Sequence, residues 1–195
     1  MTRDPQDLPP DLPAPVDDGA CDHLPGMPLP SLALASTAGD PIDLAALPGR
    51  LVVYCFPRAG QPDAPSPPGW DQIPGARGCT PQSVAFRNHH DKIRALHAAV
   101  FGLSTQSPAA QAEIAARLNL PFPLLSDAGL DFARALNLPT FAVDGTTLIK
   151  RLTLIVTEGA IEKVFYPVFP PDRSADEVIV WLLAHPRRPE LAPEV

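Results

Sequence analysis

The sequence predicts an α/β sandwich, a central mixed β-sheet flanked by helices, with an N-terminal hairpin. Three observations predict it. Strand-sized apolar runs alternate with segments of helical periodicity through the middle of the chain. Two β-branched runs joined by a short turn follow them, and a final segment with helical spacing closes the order.

The elements follow in sequence. Leu32–Ala35 and Pro41–Leu44 flank Thr37-Ala38-Gly39-Asp40, a turn-rich tetrapeptide, and form the hairpin. Arg50–Phe56 is β-branched and aromatic, the pattern of a buried strand. A helix opened by Thr80 as N-cap and Pro81 as first helical residue carries Phe86, His89 or His90, Ile93 and Leu96 on one face. Ala98–Ser104 is the next strand. Ser107-Pro108 starts a second helix with Ile114 and Leu118 inward and Asn119 near its end. Phe122–Leu125 reads as a short strand or extended link and Gly129–Leu138 as a short helix. Leu148–Val156 and Ile161–Tyr166 pair around Thr157-Glu158-Gly159-Ala160. Ser174 with Glu177 makes a capping box for a last helix that buries Val178, Trp181 and Leu182. The order fits a thioredoxin-like sandwich. A flavodoxin-like arrangement shares the early alternation, and the terminal hairpin, which creates antiparallel neighbours, favours the thioredoxin type.

Bulk properties exclude several classes. A chain of 195 residues supports one domain with a proper core. A net charge of −7 argues against nucleic acid and against anionic membrane surfaces, and no apolar run has the length of a membrane span. The N-terminus lacks a basic start and an apolar signal core, and three cysteines without tight spacing do not form a disulfide framework. The expected compartment is the reducing cytoplasm. The 27 prolines cluster. Residues 1–24 are expected to form a flexible proline- and acid-rich arm, 25–186 the domain, and 187–195 a tail. A second cluster, Gln61–Trp70, is expected as a long functional or mobile loop.

Chemistry concentrates in Pro74-Gly75-Ala76-Arg77-Gly78-Cys79-Thr80-Pro81-Gln82. It sets a thiol at a helix start, beside the guanidinium of Arg77 and after Gly78, which keeps the approach open. Unpaired N–H groups and the positive end of the helix dipole point at Cys79 and favour the thiolate, the reactive form. The competing reading is a small apolar cysteine packed in a core. His89, His90 and His97 share a helix face, but without a close carboxylate or thiolate partner they are a weak metal pattern. A Cys–His hydrolase needs a base beside the sulfur, and His89 lies nearly three turns along the helix. Cys-x-x-Cys and glycine-rich phosphate loops are absent from the sequence.

Gly78-Cys79-Thr80-Pro81-Gln82 with Ala85-Phe86-Arg87, then Val100-Phe101-Gly102-Leu103-Ser104, then Leu120-Pro121-Phe122-Pro123-Leu124-Leu125-Ser126-Asp127 resemble the peroxiredoxins, most closely the bacterioferritin-comigratory or Q-type branch. Arg151–Val156 matches the strand in which that family carries its active-site arginine. The similarity runs from about Pro28 to Trp181. It implies a thiol peroxidase without metal or organic cofactor. Cys79 would be the peroxidatic cysteine, passing through a sulfenic acid, with Arg151 and the N–H groups at Thr80 stabilising charge. Arg77 would either assist or face solvent. The implied partners are hydrogen peroxide or an organic hydroperoxide and an external thiol of thioredoxin, glutaredoxin or glutathione type, with the chain a monomer or homodimer.

The chain departs from the family at three points. Pro57 is the match for the family's strand-end proline, but Ala59–Ala76 separates it from Cys79. Neither Ala59 nor Ala76 carries the hydroxyl the family places before its cysteine, unless a residue such as Ser66 replaces it; loss of one transition-state donor costs about 2.7–4 kcal/mol. Val84 stands where many members carry a resolving cysteine. Cys55 and Cys21 are the remaining internal thiols, and an external thiol makes this a one-cysteine mechanism. The alternative is a non-catalytic redox sensor or interaction protein on the same fold, with the proline-rich loop as its recognition surface.

Overall fold

The computed structural model describes residues 8–61 and 64–187. Nine strands and four α-helices follow the chain among them: β1 (Ala33–Ser36), β2 (Ile42–Asp43), β3 (Arg50–Cys55), α1 (Cys79–Ala95), β4 (Ala98–Ser104), α2 (Pro108–Arg117), β5 (Leu124–Ser126), α3 (Asp131–Ala135), β6 (Thr140–Val143), β7 (Thr146–Ile149), β8 (Leu152–Thr157), β9 (Ala160–Phe165) and α4 (Ser174–Ala184). Seven strands make one sheet in the order β2-β1-β5-β4-β3-β8-β9, and β6 and β7 form a separate hairpin. β3, β4 and β5 run parallel, while β8 lies antiparallel to β3 and β9 to β8. This is the mixed sheet of a thioredoxin-like sandwich, and β1 and β2 pair as the N-terminal hairpin.

The sheet divides two cores. On β3, Leu51, Val53 and Cys55 enter one, with Phe132 and Leu154; Val52, Tyr54 and Phe56 enter the other, with Phe86, Ile93 and Val178. The alternation is the period-two rule of a strand buried on both faces. Tyr54 seats α1: its ring stacks on Phe86 at 4.4 Å, and its hydroxyl donates to Ser83 Oγ at 3.1 Å. Gly102 makes this possible, since a Cβ there would lie 2.4 Å from Leu124 Cδ2 and 2.7 Å from the Tyr54 oxygen.

The structure departs from three expectations. Leu148–Val156 is not one strand: β7 ends at Ile149, Lys150 and Arg151 form a bend, and β8 starts at Leu152. Asp144 and Gly145, both at positive φ, turn β6 back on β7. Ser174 is the first residue of α4 rather than its N-cap, and its hydroxyl is used elsewhere. Residues 17–24 are packed rather than a flexible arm. Leu24 is fully buried, Asp18 accepts hydrogen bonds from Lys150 Nζ and Tyr166 OH at 2.8 Å each, and His23 Nε2 lies 2.9 Å from the Leu136 carbonyl. Apolar burial of Leu24 and Cys21 outweighs the acidic composition around them. Residues 1–7 of the expected arm and 188–195 of the expected tail lie outside the described residues.

Candidate active site

Cys79 is the first residue of α1, and Gly78 at φ 106° is its N-cap. Thr80 therefore does not cap the helix; it is the second helical residue and is buried. The shift of one residue brings the sulfur into the first turn, where the N–H groups of residues 79 and 80 have no intrahelical acceptor. Pro81 costs nothing there because its missing N–H falls in the same unpaired turn. Gly78 is needed for its backbone conformation and for space: a Cβ would meet Pro171 Cγ at 2.2 Å.

Arg151 reaches the same point from the bend before β8 rather than from the strand itself. The residue is 3 % exposed. Nε donates to the Gly75 carbonyl at 3.3 Å, and Nη2 lies within reach of the Ala76 carbonyl (3.0 Å), the Arg77 carbonyl (3.1 Å) and Cys79 Sγ (3.2 Å). Nη1 donates to Gln82 Oε1. Nη2 has two hydrogens for three acceptors, so the sulfur shares them with the loop carbonyls. None of these partners is a carboxylate. A buried cation held only by neutral acceptors and a sulfur places its charge where negative charge on that sulfur would be met.

A buried polar chain supports this geometry. Gln82 sits three residues after Cys79, on the same helix face. Its amide donates to Ser174 Oγ at 3.4 Å, and Ser174 Oγ lies 3.3 Å from Thr153 Oγ1. Gln82, Ser174 and Thr153 were not predicted as site residues. Gln82 carries a signal in its helical spacing from the thiol, whereas the spacing of Ser174 to Glu177 reads as a helix cap.

Residues 62 and 63 of the proline-rich loop lie outside the described residues, and its other residues share a cleft with the thiol. Cys79 opens into a cleft lined by Arg58, Gly60, Gln61, Ala64–Pro67, Trp70, Arg77, Gly78 and Thr80. The loop's near end is tied by Gln106, which holds the Ala59 N–H and carbonyl at 2.8 and 3.2 Å, and by Arg117, which donates to the Gly60 carbonyl at 2.9 Å. At its far end, buried Trp70 packs with Ala76 and Leu148, backed by Phe141 and Val143 of the β6–β7 hairpin. Pro57 is buried at the end of β3, and Ser66 stands in the cleft wall. Arg77 is mostly buried and pairs with Asp71 at 3.5 Å instead of facing solvent.

The other two cysteines are across the sheet. Cys55 and Cys21 are buried in the core opposite Cys79. Burial pushes both thiols up, Cys21 to about 12, with Asp18, Asp17 and Asp22 adding to the effect. The structure therefore brings together Cys79, Arg151, Thr80, Gly78 and Arg77, and keeps Cys55 and Cys21 apart from them. The histidines separate as well: His89 pairs with Asp176 at 3.1 Å and His90 packs against Phe122. Among the described residues, no group of three or more His, Cys, Asp or Glu side chains is placed to hold a metal ion. No helix among them is long and apolar enough to cross a membrane.

The family described as Redoxin matches residues 24–179. The chain belongs to the redoxin family. This redoxin is 28 % identical over 151 residues to the chloroplastic peroxiredoxin Q of Populus jackii, covering 77 % of this chain and 63 % of that protein. It is 27 % identical over 154 residues to that of Gentiana triflora, covering 78 % and 64 %. It thus spans less than two thirds of the length of those two relatives. The structure is similar to that of peroxidoxin BcpB from Mycobacterium tuberculosis, with a TM-score of 0.67 at 25 % identity over 83 % of this chain and 98 % of that one. Peroxiredoxin Q of Xanthomonas campestris shares the fold, at a TM-score of 0.62 and 24 % identity over 90 % and 98 %.

Proposed function

We propose that this redoxin is a thiol peroxidase that reduces hydrogen peroxide or organic hydroperoxides, with Cys79 as nucleophile. The single observation that carries the reading is the 3.2 Å contact between Cys79 Sγ and Arg151 Nη2 at a helix start that opens into a cleft. In the first step the Cys79 sulfur attacks one peroxide oxygen. The S–O bond forms as the O–O bond breaks, sulfur is oxidised by two electrons to a sulfenic acid, and the other oxygen takes a proton and leaves as water or an alcohol. Arg151 and the first-turn N–H groups meet the negative charge that spreads over the oxygens. The similarity to peroxiredoxins Q supports the same reading.

Recycling falls to an external thiol. It attacks the sulfenic sulfur, water leaves, and a second thiol exchanges with the mixed disulfide to return Cys79. Placement of Cys55 and Cys21 in the opposite core supports a one-cysteine cycle. The three cysteines are free, which suits the reducing cytoplasm.

A specific observation favours a second reading, the redox sensor. Ala59 and Ala76, where a hydroxyl was sought, are both buried and carry none. The two readings separate in one assay: peroxide consumption by the reduced protein with dithiothreitol, glutathione or thioredoxin. Repeated turnover with wild type, abolished in Cys79→Ser, is expected. Oxidation of Cys79 without turnover under any thiol would assign the sensor.

A further inference from the structure

We infer that Arg58 makes the mouth of the Cys79 cleft a recognition site for a small molecule carrying a carboxylate. The assignment of that molecule as a substrate rests on the peroxidase reading; the recognition itself does not. Three arginines stand at the thiol or along its cleft, and two are already engaged. Arg151 is buried and held by loop carbonyls and Gln82, and Arg77 is mostly buried and paired with Asp71. Arg58 differs from both. It directly follows Pro57 at the end of β3, its side chain is exposed, and it lines the cleft shared with Cys79. It has no ion-pair or hydrogen-bond partner among the described residues.

The chain carries a net charge of −7, so its overall field does not draw anions in, and a carboxylate needs a local cation to bind. At this mouth it meets a guanidinium whose planar fork fits a carboxylate with two parallel hydrogen bonds. Gln61 and Ser66 line the same cleft and carry further donors. The carboxylate can arrive on either reactant, on an acid hydroperoxide or on an acid thiol. Both place their reactive atom at Cys79 while the charge rests at the mouth.

The first arm of the test needs no peroxidase activity. Cys79 is alkylated with iodoacetate, which carries a carboxylate, and with neutral iodoacetamide of nearly the same size. The iodoacetate-to-iodoacetamide rate ratio is expected to fall about fivefold in Arg58→Gln, the scale of one exposed charge pair. Arg58→Lys is expected to keep most of the ratio, and the wild-type ratio to fall as salt rises. Equal ratios in wild type and Arg58→Gln would overturn the proposal.

Two further arms assign the reactant. Oxidation of Cys79 is timed with cumene hydroperoxide and its 4-carboxy derivative, and reduction of the sulfenic acid with 2-mercaptoethanol and 3-mercaptopropionate. Loss of the charged-over-neutral preference in Arg58→Gln in the first pair assigns an acid hydroperoxide, and in the second an acid thiol. A preference for neither charged reactant in the wild type would overturn the substrate role. Absence of any Cys79 oxidation would instead defeat the peroxidase reading, leaving the alkylation arm to stand or fall alone.

Discussion

Arg151 holds the reactive loop and the reactive sulfur with one planar group. Nε and Nη2 fix the carbonyls of residues 75–77, and the same Nη2 faces Cys79 Sγ. A lysine would keep the charge and lose the fork, so Arg151→Lys is expected to slow Cys79 oxidation by about a hundredfold, measured by stopped flow. Gln82 works through Arg151. Its replacement by alanine leaves a buried guanidinium hydrogen without its acceptor, at a cost of about 1–3 kcal/mol in denaturant unfolding. The same variant is expected to slow oxidation, and Gln82→Glu to change its pH profile by adding a charge beside Arg151. Cys79 and Arg151 were legible in the sequence because each carries a local signature, a helix-start thiol and a family strand. Ser174 was not: its spacing to Glu177 satisfies a capping box, and only the packing of α4 beside α1 and β8 shows that its hydroxyl turns inward to Gln82 and Thr153.

At the scale of elements, the first turn of α1 is pressed between its own backbone demands and Pro171. Gly78→Ala forces a side chain into positive φ and against a proline ring that cannot move aside as a flexible chain would. The expected loss is about 1–3 kcal/mol, read as a lower thermal midpoint, together with slower Cys79 oxidation as the turn shifts. The β6–β7 hairpin acts from further away, by supplying Phe141, Val143 and Leu148 as the seat for Trp70 and hence for the end of the proline-rich loop. Its turn, Asp144-Gly145, is a strong short-range hairpin signal in the sequence. The run Leu148–Val156 masks it, since it reads as one strand and nothing in its apolar pattern marks the bend at Lys150 and Arg151. That bend exists to bring Arg151 out of the sheet and under the thiol loop.

For the whole molecule, the sheet separates one thiol from two. Cys79 faces a cleft, while burial pushes the Cys21 and Cys55 thiols up. The native protein is therefore expected to take up one equivalent of iodoacetamide at pH 8 and the unfolded chain three, one per cysteine. The same shifts act on stability. Above the ordinary thiol value of 9.0, the unfolded chain releases these protons and the folded chain retains them, so stability is full below that value and falls as pH rises through it. The thermal midpoint is expected to drop from about pH 9 upward, less steeply in Cys21→Ala. The fold class and the β3 and α1 elements are legible from periodicity, since both keep their apolar patterns over whole elements, whereas the strand order is fixed only by the pairing of distant segments. The packing of residues 17–24 was not, because the acidic stretch around Asp17 and Asp18 looks solvated until Lys150 and Tyr166 are placed beside it.

Cys79, set against Arg151, is the thiol that peroxide is expected to oxidise. The most direct test exposes the reduced protein to one equivalent of hydrogen peroxide at neutral pH, traps sulfenic acid with dimedone, and maps the adduct by mass spectrometry. Trapping is expected at Cys79 within seconds, none at Cys21 or Cys55, with strong slowing in Arg151→Lys. A Cys79 that stays a free thiol under that exposure, or oxidation first at Cys21 or Cys55, would contradict it.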